Sequence, residues 1–243
     1  SVIAKELIYS FFYKVNIKKL ILVDKDENNL YDLHRDLEKK FKHALHKVLF
    51  ILTDIRNSCV IRRIFDEYNP NVVFHFANYK SLVLGNICPG EFINVNVLGT
   101  KALLEVSCSN YKMEKFIYIS SDKAESPSSI YGKTKRIAEL LIKYYAAKYP
   151  NISFGSLRYC NILDAAGSFA IPTFREQIQN NLPVTIRKGP NGQIPNRYYI
   201  TKSLAARLAI KAGKECKNGN VFSLDSQYVF PIRMDNLVKI IAR

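Results

Sequence analysis

Glycine is scarce in this chain: ten residues in 243, with none before Gly85. That excludes from the first third of the chain the glycine-rich strand-to-helix turn that lets backbone amides close around a phosphate. Long apolar runs are also missing. None approaches the roughly 20 residues that a membrane-spanning helix needs. The opening stretch Ser1 to Ser10 contains Lys5 and Glu6 and lacks the layout of a signal peptide, so a cytoplasmic protein is expected. The cysteines (Cys59, Cys88, Cys108, Cys160 and Cys216) are odd in number and form no CxxC pair, which points to free thiols in a reduced compartment. The four histidines (His34, His43, His46 and His75) make no metal motif with them. Acidic side chains are outnumbered 21 to 36, for a net charge of +15. The basic residues are spread along the chain rather than blocked. This argues against nucleic-acid binding and suits attraction of small polyanions such as nucleotides. Repeats and low-complexity segments are absent.

What is present is an alternation of strand and helix. Lys19–Val23, Val48–Leu52, Val72–Ala77, Lys115–Ile119 and Ile152–Arg158 are short apolar runs, the pattern of buried parallel strands. Helical patterns open the chain to about Val15 and then cover about Asn28–Phe41, Cys59–Tyr68, Glu91–Asn110 and Tyr131–Lys148. The alternation predicts an α/β fold, a Rossmann-like doubly wound parallel sheet over residues 1–159. After Tyr159, Gly, Pro and Asn become frequent, as in Gly189-Pro-Asn-Gly-Gln-Ile-Pro195. Short helices are expected at Phe169–Asn180, Ser203–Lys214 and Met234–Ala242, so residues 160–243 read as a small C-terminal substrate lobe.

Chemistry concentrates at one strand end. Ser120-Ser121-Asp122-Lys123-Ala124 closes the Lys115 run, and Tyr131-Gly-Lys-Thr-Lys135 follows on a helix. Open α/β sheets bind ligands at the carboxyl ends of their strands. Tyr131 and Lys135 are four apart and share a helix face. A cation beside a phenol favours the phenolate and lowers its pKa, which makes Tyr131 a candidate acid/base. The same spacing recurs at Tyr111/Lys115, Tyr144/Lys148 and Tyr198/Lys202, but only Tyr131 has strand-end serines just upstream. Three further strand ends suit a dinucleotide. Asp24 can accept from a ribose, Asp54 can meet an adenine amino group, and Ala77 lets a ligand approach the backbone. A strand-end Asp also serves as a helix cap. The phosphate-binding turn, and the strand before it, should precede Asp24 by about 20 residues. Neither is found there, so the strands on either side of that missing member are expected to carry unpaired backbone groups.

Together these segments resemble the extended short-chain dehydrogenases/reductases. Within that group they resemble the polysaccharide-biosynthesis nucleotide-sugar 4,6-dehydratases of the UDP-N-acetylglucosamine type. The matching stretches are Leu20–Tyr31, Val73–Lys80, Asn94–Thr100, Ser120–Ala124, Tyr131–Arg136, Arg158–Leu163 and Asn196–Thr201. The resemblance implies NADP or NAD as cofactor, a UDP-sugar substrate and a homo-oligomer. It implies that Tyr131, supported by Lys135, takes the proton of the sugar 4-hydroxyl as hydride leaves C4. It makes Lys123 the base at C5 and Asp122 the acid for the departing 6-hydroxyl, with the hydride returning to C6. Ser121 would bond the 4-oxygen, while Lys80, Asn161 and Arg197 fall at substrate-binding positions. An arginine fork matches phosphate oxygens. Many relatives carry Met in place of Tyr131. Two motif glycines align with Ser1 and Ala4, a family His is replaced by Ser81, and Gly is common where Cys160 and Asp164 stand. The chain reads as a dehydratase shortened at both ends. A UDP-sugar 4-epimerase and a family member without activity are the alternatives.

Overall fold

The computed structural model describes residues 2–14, 17–163, 170–189 and 191–242. Ser1, Val15, Asp164, Phe169 and Pro190, named above, lie outside them. The chain opens with helix α1 (Val2–Lys14), then strand β1 (Leu20–Asp24) and α2 (Glu27–Phe41). Asp26 caps α2 by accepting from the Asn29 amide, while Lys39 and Lys40 occupy its last turn, where cations meet the carbonyl end of the helix dipole. A 3₁₀ stretch, Lys42–Lys47, leads into β2 (Val48–Leu52). Next come α3 (Ser58–Tyr68), closed by left-handed Asn69 (φ 46°), and β3 (Val72–His75).

The single helix expected over Glu91–Asn110 is instead a series. α4 (Leu82–Ile87) and α5 (Pro89–Ile93) precede a π-helical stretch, Asn94–Gly99, and α6 (Thr100–Ser109). Ser81 caps α4, and Pro89 sits in the first turn of α5, where its missing N–H costs nothing. The fully buried Asn96 lies in the π stretch and bonds the Tyr79 backbone in both directions, at 2.7 and 2.9 Å. That side chain fixes the loop after β3, a use the apolar pattern could not reveal.

β4 (Lys115–Ser121), α7 (Ile130–Lys148) and β5 (Ser153–Tyr159) follow. Alternate residues of β4 enter opposite cores. Phe116 and Tyr118 pack with α3, α6 and α7, whereas Ile117 and Ile119 pack with α1 and with α9 (Lys202–Glu215). Beyond β5 the chain serves two sheets. α9 and β8 (Asn220–Phe222) return to the main parallel sheet, ordered β3-β4-β5-β8. β6 (Asn161–Ile162), β7 (Asn196–Ile200) and β9 (Phe230–Arg233) form a second sheet, over which α8 (Ala170–Gln179) and α10 (Met234–Ile241) close a separate apolar cluster.

β1 and β2 pair in parallel as a sheet of their own. Among the described residues no strand pairs with the second side of β1 or of β3. α1 packs across this division: Leu7 enters the core shared with α9, and Ile8 enters the core formed with Leu37 and Phe41 of α2.

Candidate active site

Ser121, the last residue of β4, is extended and accepts from the Lys123 amide, which starts a 3₁₀ turn over Asp122–Ala124. The turn brings three polar side chains together. Ser121 Oγ donates to Asp122 Oδ1 at 2.8 Å, and Lys123 Nζ reaches the same oxygen at 3.0 Å. Both members of the ion pair are partly exposed (43% and 37%), so either can turn to a ligand. Ser129 caps α7 by accepting from the Gly132 amide, which sets Tyr131 in the first turn. Gly132 is needed for contact, since a Cβ there would lie 2.4 Å from the Lys123 carbonyl oxygen. Helix and turn therefore touch backbone to side, with Tyr131 within reach of Ser121.

Lys135 overturns one expectation. It is buried, but its Nζ donates to the Ile119 carbonyl at 2.5 Å and lies 4.3 Å from the Tyr118 ring centroid. Burial pulls its pKa down to about 7, against a smaller upward pull from Glu139. Tyr131 is not acidified. Burial pushes its phenol up to about 12, opposed by its hydrogen bond with Ser121 and assisted by the Asp122 charge. The shared helix face is real, yet the ammonium is drawn to a main-chain oxygen and a ring face inside the protein.

Beneath the site lies a group that the motif reading passed over. Glu139, one turn after Lys135, is 2% exposed. It takes a two-pronged bond from Arg158 (2.9 Å at each oxygen), a bond from Ser120 Oγ (2.6 Å) and one from Arg136 (3.2 Å). Burial alone would raise its pKa, but these donors bring it below the usual carboxylate value. A charged residue inside an apolar strand, as Arg158 is, was the available signal, because buried charges need partners. His75 was a similar one. It is 3% exposed, and its Nε2 is 2.8 Å from Thr100 Oγ1. Thr100 donates its own proton to the Asn96 carbonyl, so Nε2 carries the proton in this pair. Burial and the nearby Lys135 charge lower the His75 pKa to about 3.

The remaining candidates fall into two groups. Asp24 ends β1 next to Lys25, and Asp54 lies two residues past β2. Asp24 Oδ1 accepts from the Asp26 amide at 3.0 Å, a local turn contact that leads into α2. Asp54 is engaged by Arg56 at both oxygens (2.9 and 3.1 Å), which lowers its pKa, and lies 4.0 Å from Lys25 Nζ. Lys25 in turn bonds the Tyr79 hydroxyl and sits 4.1 Å from its ring centroid. Ala77 follows β3, and beside it Asn78 Oδ1 is buried with no partner. Lys80 is at the rim, and desolvation lowers its pKa. On the other side, Asn161 donates to the Tyr198 carbonyl at 2.9 Å and Arg197 is exposed on β7. The fields of Asp122 and Lys123 reach Cys160, next to Asn161, and that of Arg197 reaches Tyr199. The small sheet therefore adjoins the Asp122 turn.

Residues 2–242 match the family model described as "Polysaccharide biosynthesis protein". The capsular polysaccharide biosynthesis protein CapD of Staphylococcus aureus is 35% identical over 230 residues, which cover 95% of this chain and 37% of that protein. The chain thus spans little more than a third of that relative's length. The solved structure of Pen from Bacillus thuringiensis superposes with a TM-score of 0.86 at 26% identity, over 99% of this chain and 70% of that one. The Bordetella bronchiseptica enzyme WbmF, solved in complex with NAD+ and UDP, gives a TM-score of 0.78 at 19% identity, over 99% and 73%. At that identity the likeness shows a shared fold.

Proposed function

Because the chain belongs to the polysaccharide biosynthesis protein family, we propose that its site is that of an NAD(P)-dependent nucleotide-sugar 4,6-dehydratase acting on a UDP-sugar of the UDP-N-acetylglucosamine type. One observation carries this reading. Asp122 and Lys123 form an ion pair at the end of β4, beside Ser121 and Tyr131. A redox step alone needs one acid/base. Eliminating water from C5 and C6 needs a base and an acid besides, on groups able to move apart.

Each side chain then has a task. Tyr131, facing the sugar O4 with Ser121, would take the 4-hydroxyl proton as its phenolate while C4 is oxidised to the ketone. The proton of the pair would pass from Lys123 to Asp122; the neutral Lys123 amine then takes the C5 proton, and Asp122 gives its proton to the 6-oxygen, which departs as water. Asn161 and Arg197 lie on the small sheet, where a UDP diphosphate would be oriented. NAD(P), when bound, supplies reversible hydride acceptance. Asp24 and Lys25 would meet its ribose, with Lys25 suited to a 2′-phosphate, and the unpartnered Asn78 Oδ1 is an acceptor left for its reactive end. The pyrophosphate finds no glycine-rich turn among the described residues, so the fit covers the two ends of the cofactor and not its middle.

The test is a calorimetric titration with NADP+ and NAD+, followed by mass analysis of UDP-N-acetylglucosamine incubated with the protein. Micromolar cofactor binding and a product lighter by one water, both expected, support the reading. The Lys123→Ala variant should retain cofactor binding and lose that product. An isomer of unchanged mass would make the protein a 4-epimerase. Absence of any cofactor binding would make it a family member without activity.

A further inference from the structure

We propose that the amino edge of the β1–β2 sheet, opposite the candidate site, docks on an anionic lipid membrane. Parallel register sets Leu20 beside Val48, so Lys19 and Lys47 stand next to each other where the two strands begin. α2 ends at the same edge with Lys39 and Lys40, and the 3₁₀ turn adds Lys42, His43 and His46, all exposed. From residue 39 to 47 there is no acid. Lys18, Lys19, Lys39 and Lys42 are exposed, and among the described residues none of them forms an ion pair. At the other edge Lys25 and Arg56 face Asp54, and Lys123 faces Asp122. Exposed cations elsewhere, Lys80, Lys112 and Arg197 among them, also form no ion pair among the described residues, but they stand singly, whereas the amino edge gathers its lysines into one group.

Three features favour a lipid surface over a discrete phosphate or a nucleic acid. First, the cations gather where α2 ends, and the carbonyl end of a helix repels a closely seated anion. Lysines there act as a field at the Debye distance, as a polybasic segment does on an acidic leaflet. Second, no arginine lies between Arg35 and Arg56, so the segment that carries these lysines has none of the forked donors that grip phosphates and guanine edges. Third, Tyr13 closes α1 at the same place, packs edge-on against Phe41 at 5.0 Å and is 73% exposed. A ring with a polar tip suits the headgroup level. Strands of five residues hold this edge roughly 16 Å from the carboxyl edge, so a docked molecule would leave the candidate site facing water. This inference stands apart from the proposed chemistry and survives its failure.

Cosedimentation tests it, with vesicles of phosphatidylcholine alone and of phosphatidylcholine mixed with phosphatidylglycerol. Binding to the mixed vesicles only, weakening as salt rises, is expected. Each lysine contributes about a fivefold factor in partition, so Lys18→Gln/Lys39→Gln/Lys42→Gln should lower it about a hundredfold. A control with equal charge loss elsewhere, Lys101→Gln/Lys188→Gln/Lys211→Gln, should change it far less. Equal losses in both triples would overturn the assignment to this edge. So would no binding to acidic vesicles, or tighter binding to duplex DNA at the same salt.

Discussion

His75 shows how one side chain links the core to pH. In the unfolded chain its imidazole titrates near 6.5, while in the folded protein burial holds it neutral down to about pH 3. Between those values the unfolded state binds the extra proton, so stability falls as pH falls, by up to about 1.4 kcal/mol per pH unit. Urea midpoints measured from pH 7 to 5 should show this slope, and His75→Gln should flatten it. An unchanged slope in the variant would place the linkage elsewhere. Lys135 and Tyr131 mark the limit of legibility at this scale. Their spacing on α7 was readable, because a helix face follows from counting. The Ile119 carbonyl and the Tyr118 ring that receive the ammonium come from β4, across the core, and no count along the chain reveals which acceptor a buried cation finds.

Among the elements, α7 is tied to the sheet by charge as well as by apolar contact. Glu139 joins it to Ser120 on β4 and to Arg158 on β5, and Arg158 also reaches Glu125 just past the Asp122–Ala124 turn (3.8 Å). Removing one partner strands the other in a nearly closed space. Arg158→Met should cost about 3–5 kcal/mol in chemical denaturation, and Glu139→Leu combined with Arg158→Met should cost clearly less than Arg158→Met alone. Costs that simply add would show that the pair is not coupled. The order of strands and long helices was legible because five apolar runs and their intervening patterns carry periodicity. α4 and the π stretch were not, since their shape depends on Ser81, Pro89 and the inward Asn96 amide. The short strands β6 to β9 are two to five residues long and are opened or broken by Asn161, Asn196, Arg197, Asn220 and Pro231, so no continuous apolar run marks them as it does β1 to β3.

Over the whole molecule, the strands β1 to β5 fall into two parallel blocks joined by helices. Among the described residues β1 and β2 pair only with each other, and β3 is paired on one side, by β4. A two-stranded block is marginal by itself and depends here on α1 and α2. Amide hydrogen exchange should therefore run faster in β1 and β2 than in β4 and β5, which have partners on both sides. Equal protection in the two blocks would show that the helices fully compensate.

The same excess of lysine and arginine governs how copies of the molecule meet. Each carries a formal charge of +15 and repels the next. Colloidal behaviour should then answer to ionic strength before temperature: salt that shortens the Debye length lets separate copies approach while each fold is still intact.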